Sequence, residues 1–118
     1  MGNVRDLKVY QAAFQIAIDI YKITEHFPKS EIFGLVSQMR RAAVSINSNL
    51  SEGSYRNSTS EYKHFVGIAK GSAGELRYQI EISMELGFIS EKDGEELVKK
   101  IEEICKMLAG LSSALDKK

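Results

Sequence analysis

The sequence predicts an all-α protein, an antiparallel up-and-down four-helix bundle. Three observations lead there. Apolar residues recur at alternating spacings of three and four through four long segments, the mark of helices with one buried face. The breaks between the segments are short, which turns consecutive helices antiparallel. Pro28 is the one proline in 118 residues, so helix interiors elsewhere run free of that breaker. Apolar residues make up 43% of the chain and charged residues 27%. That is enough for a core in one domain over residues 1–118, and it argues against disorder.

The first helix is expected from about Leu7 to His26. Leu7, Tyr10, Phe14, Ala17 and Tyr21 form one apolar row, and Val9, Ala13, Ile16, Ile20 and Ile23 a second beside it. Two adjacent rows make an apolar face wider than one neighbouring helix requires. Phe27-Pro28 stops this helix, because the residue before proline disfavours the helical region. The second helix is expected from Glu31 to Tyr55, with Ser30 as N-cap and Ile32, Leu35, Met39, Ala42, Ile46 and Leu50 as its core stripe. The third begins at Ser58, with Glu61 three positions on as in a capping box. Its stripe is Tyr62, Phe65, Ala69, Ala73, Leu76 and Ile80, and Gly87 stands at a C-cap position. Ser90 caps the fourth helix, whose Leu97, Ile101, Ile104, Leu108, Leu111 and Leu115 keep a heptad seam. Helices of roughly 20–28 residues span about 30–42 Å.

Most chemistry is argued against by what is absent from the pattern. A di-metal bundle needs two Glu-x-x-His motifs and two further glutamates. Here there is one, Glu61 to His64, at a helix start, and the other histidine, His26, has Ile23 three residues before it. Cys105 is the single cysteine and has core spacing beside Ile104 and Leu108, so a structural thiol is expected. Gly67, Gly71 and Gly74 sit inside a helix and make no phosphate loop. Each costs about 1 kcal/mol relative to alanine, so close approach by another helix, within the bundle or between subunits, is expected. No metal, cofactor or small-molecule substrate is expected, and no enzymatic activity. The first ten residues carry no apolar signal core, and the Met1-Gly2 start has Asp6 where a myristoylation motif has Ser or Thr. With no apolar run of about 18 residues, a cytoplasmic location without membrane contact is expected.

Net charge is zero, with 16 basic and 16 acidic residues, but the charges are uneven. Residues 38–80 carry +3 and residues 81–118 carry −3. Arg40, Arg41, Arg56, Lys63, Lys70 and Arg77 supply the middle's cations, and Lys63, Lys70 and Arg77 fall seven residues apart on one side of the third helix. They are candidate phosphate contacts for RNA, or ordinary exposed cations. Gln38, Arg41, Ser45, Asn49, Glu52 and Arg56 make a polar stripe along the second helix. It reads either as a solvated face or as a polar network at a subunit interface that fixes register. A purely structural alternative expects the basic face to be neutralised by carboxylates of a neighbouring subunit, drawn from the C-terminal helix.

The stretch FPKSEIFGLVSQMRRAAVSINSNLSEGSYRNS resembles the four-helix bundle family of 23S rRNA intervening-sequence proteins. Phe27-Pro28, Glu31, Gly34-Leu35, Gln38, Arg40-Arg41-Ala42, Ser45, Asn49 and Glu52-Gly53 carry it. Downstream, Phe65, Ala69, Gly71-Ser72, Glu75, Leu76 and Leu86-Gly87 agree in order. The resemblance covers nearly the whole chain. It implies a bacterial, non-enzymatic protein, similar to the accessory variability determinant of diversity-generating retroelements, a barrel-like homopentamer that binds nucleic acid. It implies further a homo-oligomer, with five subunits suggested, and contact with RNA or a nucleoprotein. Gln38, Ser45, Asn49, Glu52, Gly53, Gly71, Ser72 and Glu75 are then packing or subunit contacts. The chain departs from the retroelement type in its balanced charge.

Overall fold

The computed structural model describes residues 3–117 of the chain. The Met1-Gly2 start and Lys118, the two ends of the expected domain, lie outside them. Among the described residues there are four α-helices and no strand: α1 Lys8–Thr24, α2 Ser37–Ser54, α3 Thr59–Glu85 and α4 Glu91–Asp116. Their order and number match the apolar periodicity.

Contacts between distant residues fix the topology. Ser45 on α2 meets Ser72 on α3, Gly53 meets Tyr62 and Phe65, and Met39 meets Ser83. As α2 advances its partner on α3 recedes, so the two run antiparallel. Lys63 with Asp116 and Arg77 with Glu102 set α3 against α4 in the same sense. Asn47 with Tyr10 and Arg40 with Thr24 do so for α1 and α2. Lys100 to Asp19, at 3.3 Å, joins α4 back to α1 and closes the square. The bundle measures 46 × 24 × 20 Å.

The core lies where the periodicity places it. Val9, Ala13, Ile16 and Ile20 of α1 are buried, as are Met39, Ala42, Ile46 and Leu50 of α2. Ala69, Ala73, Leu76 and Ile80 of α3 face Leu97, Ile101, Ile104 and Leu108 of α4 in the same buried cluster. Leu111 and Phe65 are half-buried at its rim.

The caps follow the sequence at three of four places. Ser58 accepts from the Glu61 N–H and Ser90 from the Asp93 N–H, both at 3.1 Å. Gly87 adopts φ +79°, which only glycine takes without cost. The Phe88 N–H then reaches the Ser83 carbonyl at 2.9 Å and the Gly87 N–H reaches Met84 at 3.0 Å, the paired bonds of a Schellman ending.

The entry to α2 departs from expectation. Ser30 caps nothing; it lies in a 3₁₀ turn, Lys29–Glu31. A wide π turn follows over Ile32–Val36, with Gly34 off helical geometry (φ −107°, ψ −113°). The cap is the Glu31 carboxylate, which accepts from the Leu35 N–H at 3.3 Å. Because the turn is wide, Ile32 does not rotate inward: it is 49% exposed, and Phe33 beside it 95% exposed. Val36 takes the buried place instead.

Candidate functional site

The six cations do not converge on one face. Arg40 is turned onto α1. Its Nε donates to Thr24 Oγ1 at 3.0 Å, a terminal nitrogen donates to the Tyr21 carbonyl at 3.1 Å, and its guanidinium lies 4.5 Å from the Tyr21 ring centre. A cation there satisfies the Tyr21 carbonyl in the last turn of α1 and suits the negative end of that helix. Arg56 pairs with Glu52 at 3.4 Å and lies over the Phe65 ring. Lys63 donates to Asp116 at 2.6 Å, and Arg77 reaches Glu102 at 3.4 Å and Glu81 at 3.9 Å. Asp116 and Glu102 belong to α4 of the same chain, whereas the structural alternative expected such carboxylates from a neighbour. Arg41 and Lys70 make no ion pair among the described residues. Arg41 borders the surface between α1 and α2. Lys70 stands near Cys105 on the α4 side.

Several of the polar signature residues do come together, between α2 and α3. Ser45 and Ser72 share a hydrogen bond of 2.9 Å, and the Asn49 amide donates to both the Ser45 carbonyl, at 2.8 Å, and its hydroxyl, at 2.9 Å. Gln79, buried and not singled out by the sequence, donates to Glu75 at 3.2 Å. Serine and asparagine on three turns of α2 are thus explained by a half-buried seam inside one chain. Gln38 is exposed. Gly53 is buried at the closest approach of the two helices: a Cβ there would lie 2.9 Å from both Phe65 Cβ and Tyr62 Cδ1. Gly67, Gly71 and Gly74 behave in the opposite way. A Cβ on any of them meets nothing within 4 Å, so the close approach expected within the bundle is made by Gly53 and not by them.

An apolar surface that these contacts leave open lies between α1 and α2. It consists of two adjoining stretches that share Tyr21, Val44 and Ser48. One carries Tyr10, Phe14, Ile18 and Tyr55; the other carries Ile32, Phe33 and Val36. Phe14 is 55% exposed and Tyr55 82%. The sequence signalled this surface through the double row on α1, of which the Val9 row is buried and the Phe14 row is not. It gave no hint of Phe33, whose exposure comes from the turn at Gly34.

Other titratable groups are arranged for structure. Burial raises the Cys105 thiol above its ordinary pKa, Lys70 and Arg77 pull it back, and Glu102 raises it further. A raised thiol is a poor nucleophile at neutral pH. Burial likewise raises the Tyr62 phenol. His64 stacks edge-on against Phe65 at 5.4 Å. Among the described residues no three His, Cys, Asp or Glu side chains lie together so as to hold a metal ion. No helix among them is long and apolar enough to cross a membrane.

Comparison with known proteins fits this architecture. No curated protein matches the chain. A crystal structure of a protein of unknown function from the S23 ribosomal protein family of Bacteroides thetaiotaomicron superposes with a TM-score of 0.82 at 22% identity. The match covers 89% of this chain and 95% of that one; at this identity it speaks for the fold. The family model for the 23S rRNA-intervening sequence protein matches residues 5–110. The chain therefore belongs to the 23S rRNA-intervening sequence protein family.

Proposed function

We propose that this protein is a non-catalytic scaffold that assembles with copies of itself through the apolar surface between α1 and α2. One observation carries the reading. Phe14, Ile18, Tyr21, Ile32, Phe33, Val44 and Tyr55 are all exposed along that one side of the bundle. Single exposed apolar residues are ordinary, but a contiguous row rimmed by polar groups marks an interaction surface. Burying each such side chain stabilises a contact by about 1.5–3 kcal/mol at most. Association driven this way survives high salt, because apolar burial is not screened while exposed ion pairs are. Gel filtration at low and at molar salt tests it. The expected result is a multimer at both; a multimer that dissolves to monomer in high salt contradicts the apolar surface as its cause.

Contact with RNA or a nucleoprotein is the second reading, supported by Arg41 and Lys70, which have no carboxylate partner among the described residues. The other four cations are already engaged. Two phosphate contacts give a log–log salt slope of only about −1.5 to −2, against about −4 to −5 for six. Anisotropy of a labelled structured RNA at two salt concentrations separates the cases. A slope near −5 would favour a basic face that opens its ion pairs to bind. No binding leaves the scaffold reading alone.

A further inference from the structure

Contact with RNA, the second reading above, leaves open where a strand would lie, and this inference rests on that reading. We infer that the groove at the turn into α2 takes unpaired nucleotides of a single strand, with phosphates on Lys29, Arg40 and Arg41 and a base stacked on Phe33. The two cations of the second reading stand on different sides of the bundle. Arg41 borders the groove between α1 and α2, and Lys70 stands near Cys105 on the α4 side. At Arg41 further cations and aromatic rings gather in the same place. Lys29, Arg40, Arg41, Tyr21 and Phe33 line one groove of about 940 Å³, at the upper end of the roughly 300–1,000 Å³ typical of ligand sites.

Charge sets this groove apart. Arg56, Lys63, Arg77 and Lys100 each meet a carboxylate. Among the described residues Lys29, Arg40 and Arg41 make no such pair, and the groove's lining holds one carboxylate, that of Glu25. Arg40 donates to Thr24 and to the Tyr21 carbonyl. Those partners are uncharged, so the guanidinium is held in place while its charge stays uncompensated. A cation already in position costs little to order on binding. Arg41 and Lys29 are exposed, and Ser37 and Ser48 add hydroxyls to the wall. The turn at Gly34 presents Phe33 to solvent. Cations along a groove with an exposed ring beside them suit a single strand: the charges follow its backbone, and every base has a face to stack. A base in a duplex is already stacked on its neighbours. A duplex, or a polyanion without bases, can use the cations but not Phe33.

Fluorescence anisotropy tests this with a labelled twelve-nucleotide RNA of mixed sequence, presented as a single strand and annealed to its complement. The single strand should bind tighter by about fivefold or more, the least that one stacked base contributes. Phe33→Leu keeps an apolar side chain for a second copy to cover and removes the ring. The position is exposed, so the variant should keep the helical circular dichroism of the parent. It should lose about fivefold or more of the affinity for the single strand and none of that for the duplex. Phe33→Tyr should bind like the parent. Arg41→Ala should weaken the single strand and reduce its log–log salt slope by about 0.7, whereas Lys70→Ala should change neither. If the single strand binds but Phe33→Leu and Arg41→Ala hold it as tightly as the parent, the strand lies elsewhere; the inference is overturned and the RNA reading stands. If inorganic polyphosphate displaces the strand and Phe33→Leu is silent, the groove is a cation patch that does not recognise bases, and the inference is overturned. If neither form of the RNA binds, the RNA reading falls with it and the self-assembly reading is untouched.

Discussion

Neighbouring residues with the same side chain have different duties here. Arg40 ties α2 to the end of α1 through Thr24 and Tyr21, whereas Arg41 next to it is exposed and makes no ion pair among the described residues. Arg40→Ala should therefore cost about 1–2 kcal/mol, the worth of charge-assisted hydrogen bonds, and Arg41→Ala under about 0.5 kcal/mol, as at an ordinary surface site. Urea melts of the two variants decide it. Glycines divide in the same way. Gly53→Ala forces a Cβ against Phe65 and Tyr62; overpacking of about 1–3 kcal/mol exceeds the helix-propensity gain of about 1 kcal/mol. Gly71→Ala, with open space around it, should raise the stability of the monomer by about 0.5–1 kcal/mol. The pH response also belongs to single residues. Cys105 and Tyr62 have folded pKa values above their ordinary 9.0 and 10.0 because burial disfavours the charged form. The folded state then holds protons that the unfolded state releases, so stability is full below about pH 9 and falls as pH rises further. Thermal melts from pH 7 to 11 should show that decline, and Tyr62→Phe with Cys105→Ala should flatten it.

At the scale of elements, helix starts are the sharpest test. Ser58 and Ser90 each cap a helix through a hydrogen bond of 3.1 Å, so replacing either by alanine should lower stability by about 1 kcal/mol. Ser30→Ala should leave it unchanged, since Glu31 makes the cap; loss of stability there would contradict the described turn. This contrast also explains what the sequence could convey. Helix periodicity is set by burial on one face, and it reads directly for Leu97 to Leu115 or Val9 to Ile20. A serine before a periodic run is a cap only if the next residues turn as an α-helix. After Pro28 they turn as a 3₁₀ segment and then a π turn around Gly34, a choice made by Glu31 reaching Leu35. No spacing in the sequence announces that, so periodicity alone places Ile32 in the core, where the structure has Val36 instead. The polar stripe on α2 was legible as a stripe, but whether Ser45 and Asn49 met solvent, a neighbour or Ser72 depended on where α3 lay.

For the whole molecule, the order and direction of the helices followed from short connections, and the long-range pairs confirm it. The width of the apolar face on α1 was legible too. Its coverage was not, because periodicity reports how many residues shun water and not which helix comes to cover them. In the structure α2 and α4 cover the Val9 row and leave Phe14, Ile18 and Tyr21 outward. The cations show the same limit: six in sequence suggest a basic face, yet α4 of the same chain supplies the carboxylates for Lys63 and Arg77. Exposed pairs of this kind are worth about 0–1 kcal/mol each, so they set charge balance more than stability. The claim on which the account turns is that the uncovered side of α1 is an interface between copies. Sedimentation velocity of the unsubstituted chain beside a Phe14→Glu, Ile18→Glu double variant tests it most directly. The account predicts a sedimentation coefficient that rises with concentration for the first and stays at the monomer value for the second. A double variant that sediments like its parent at every concentration would contradict it.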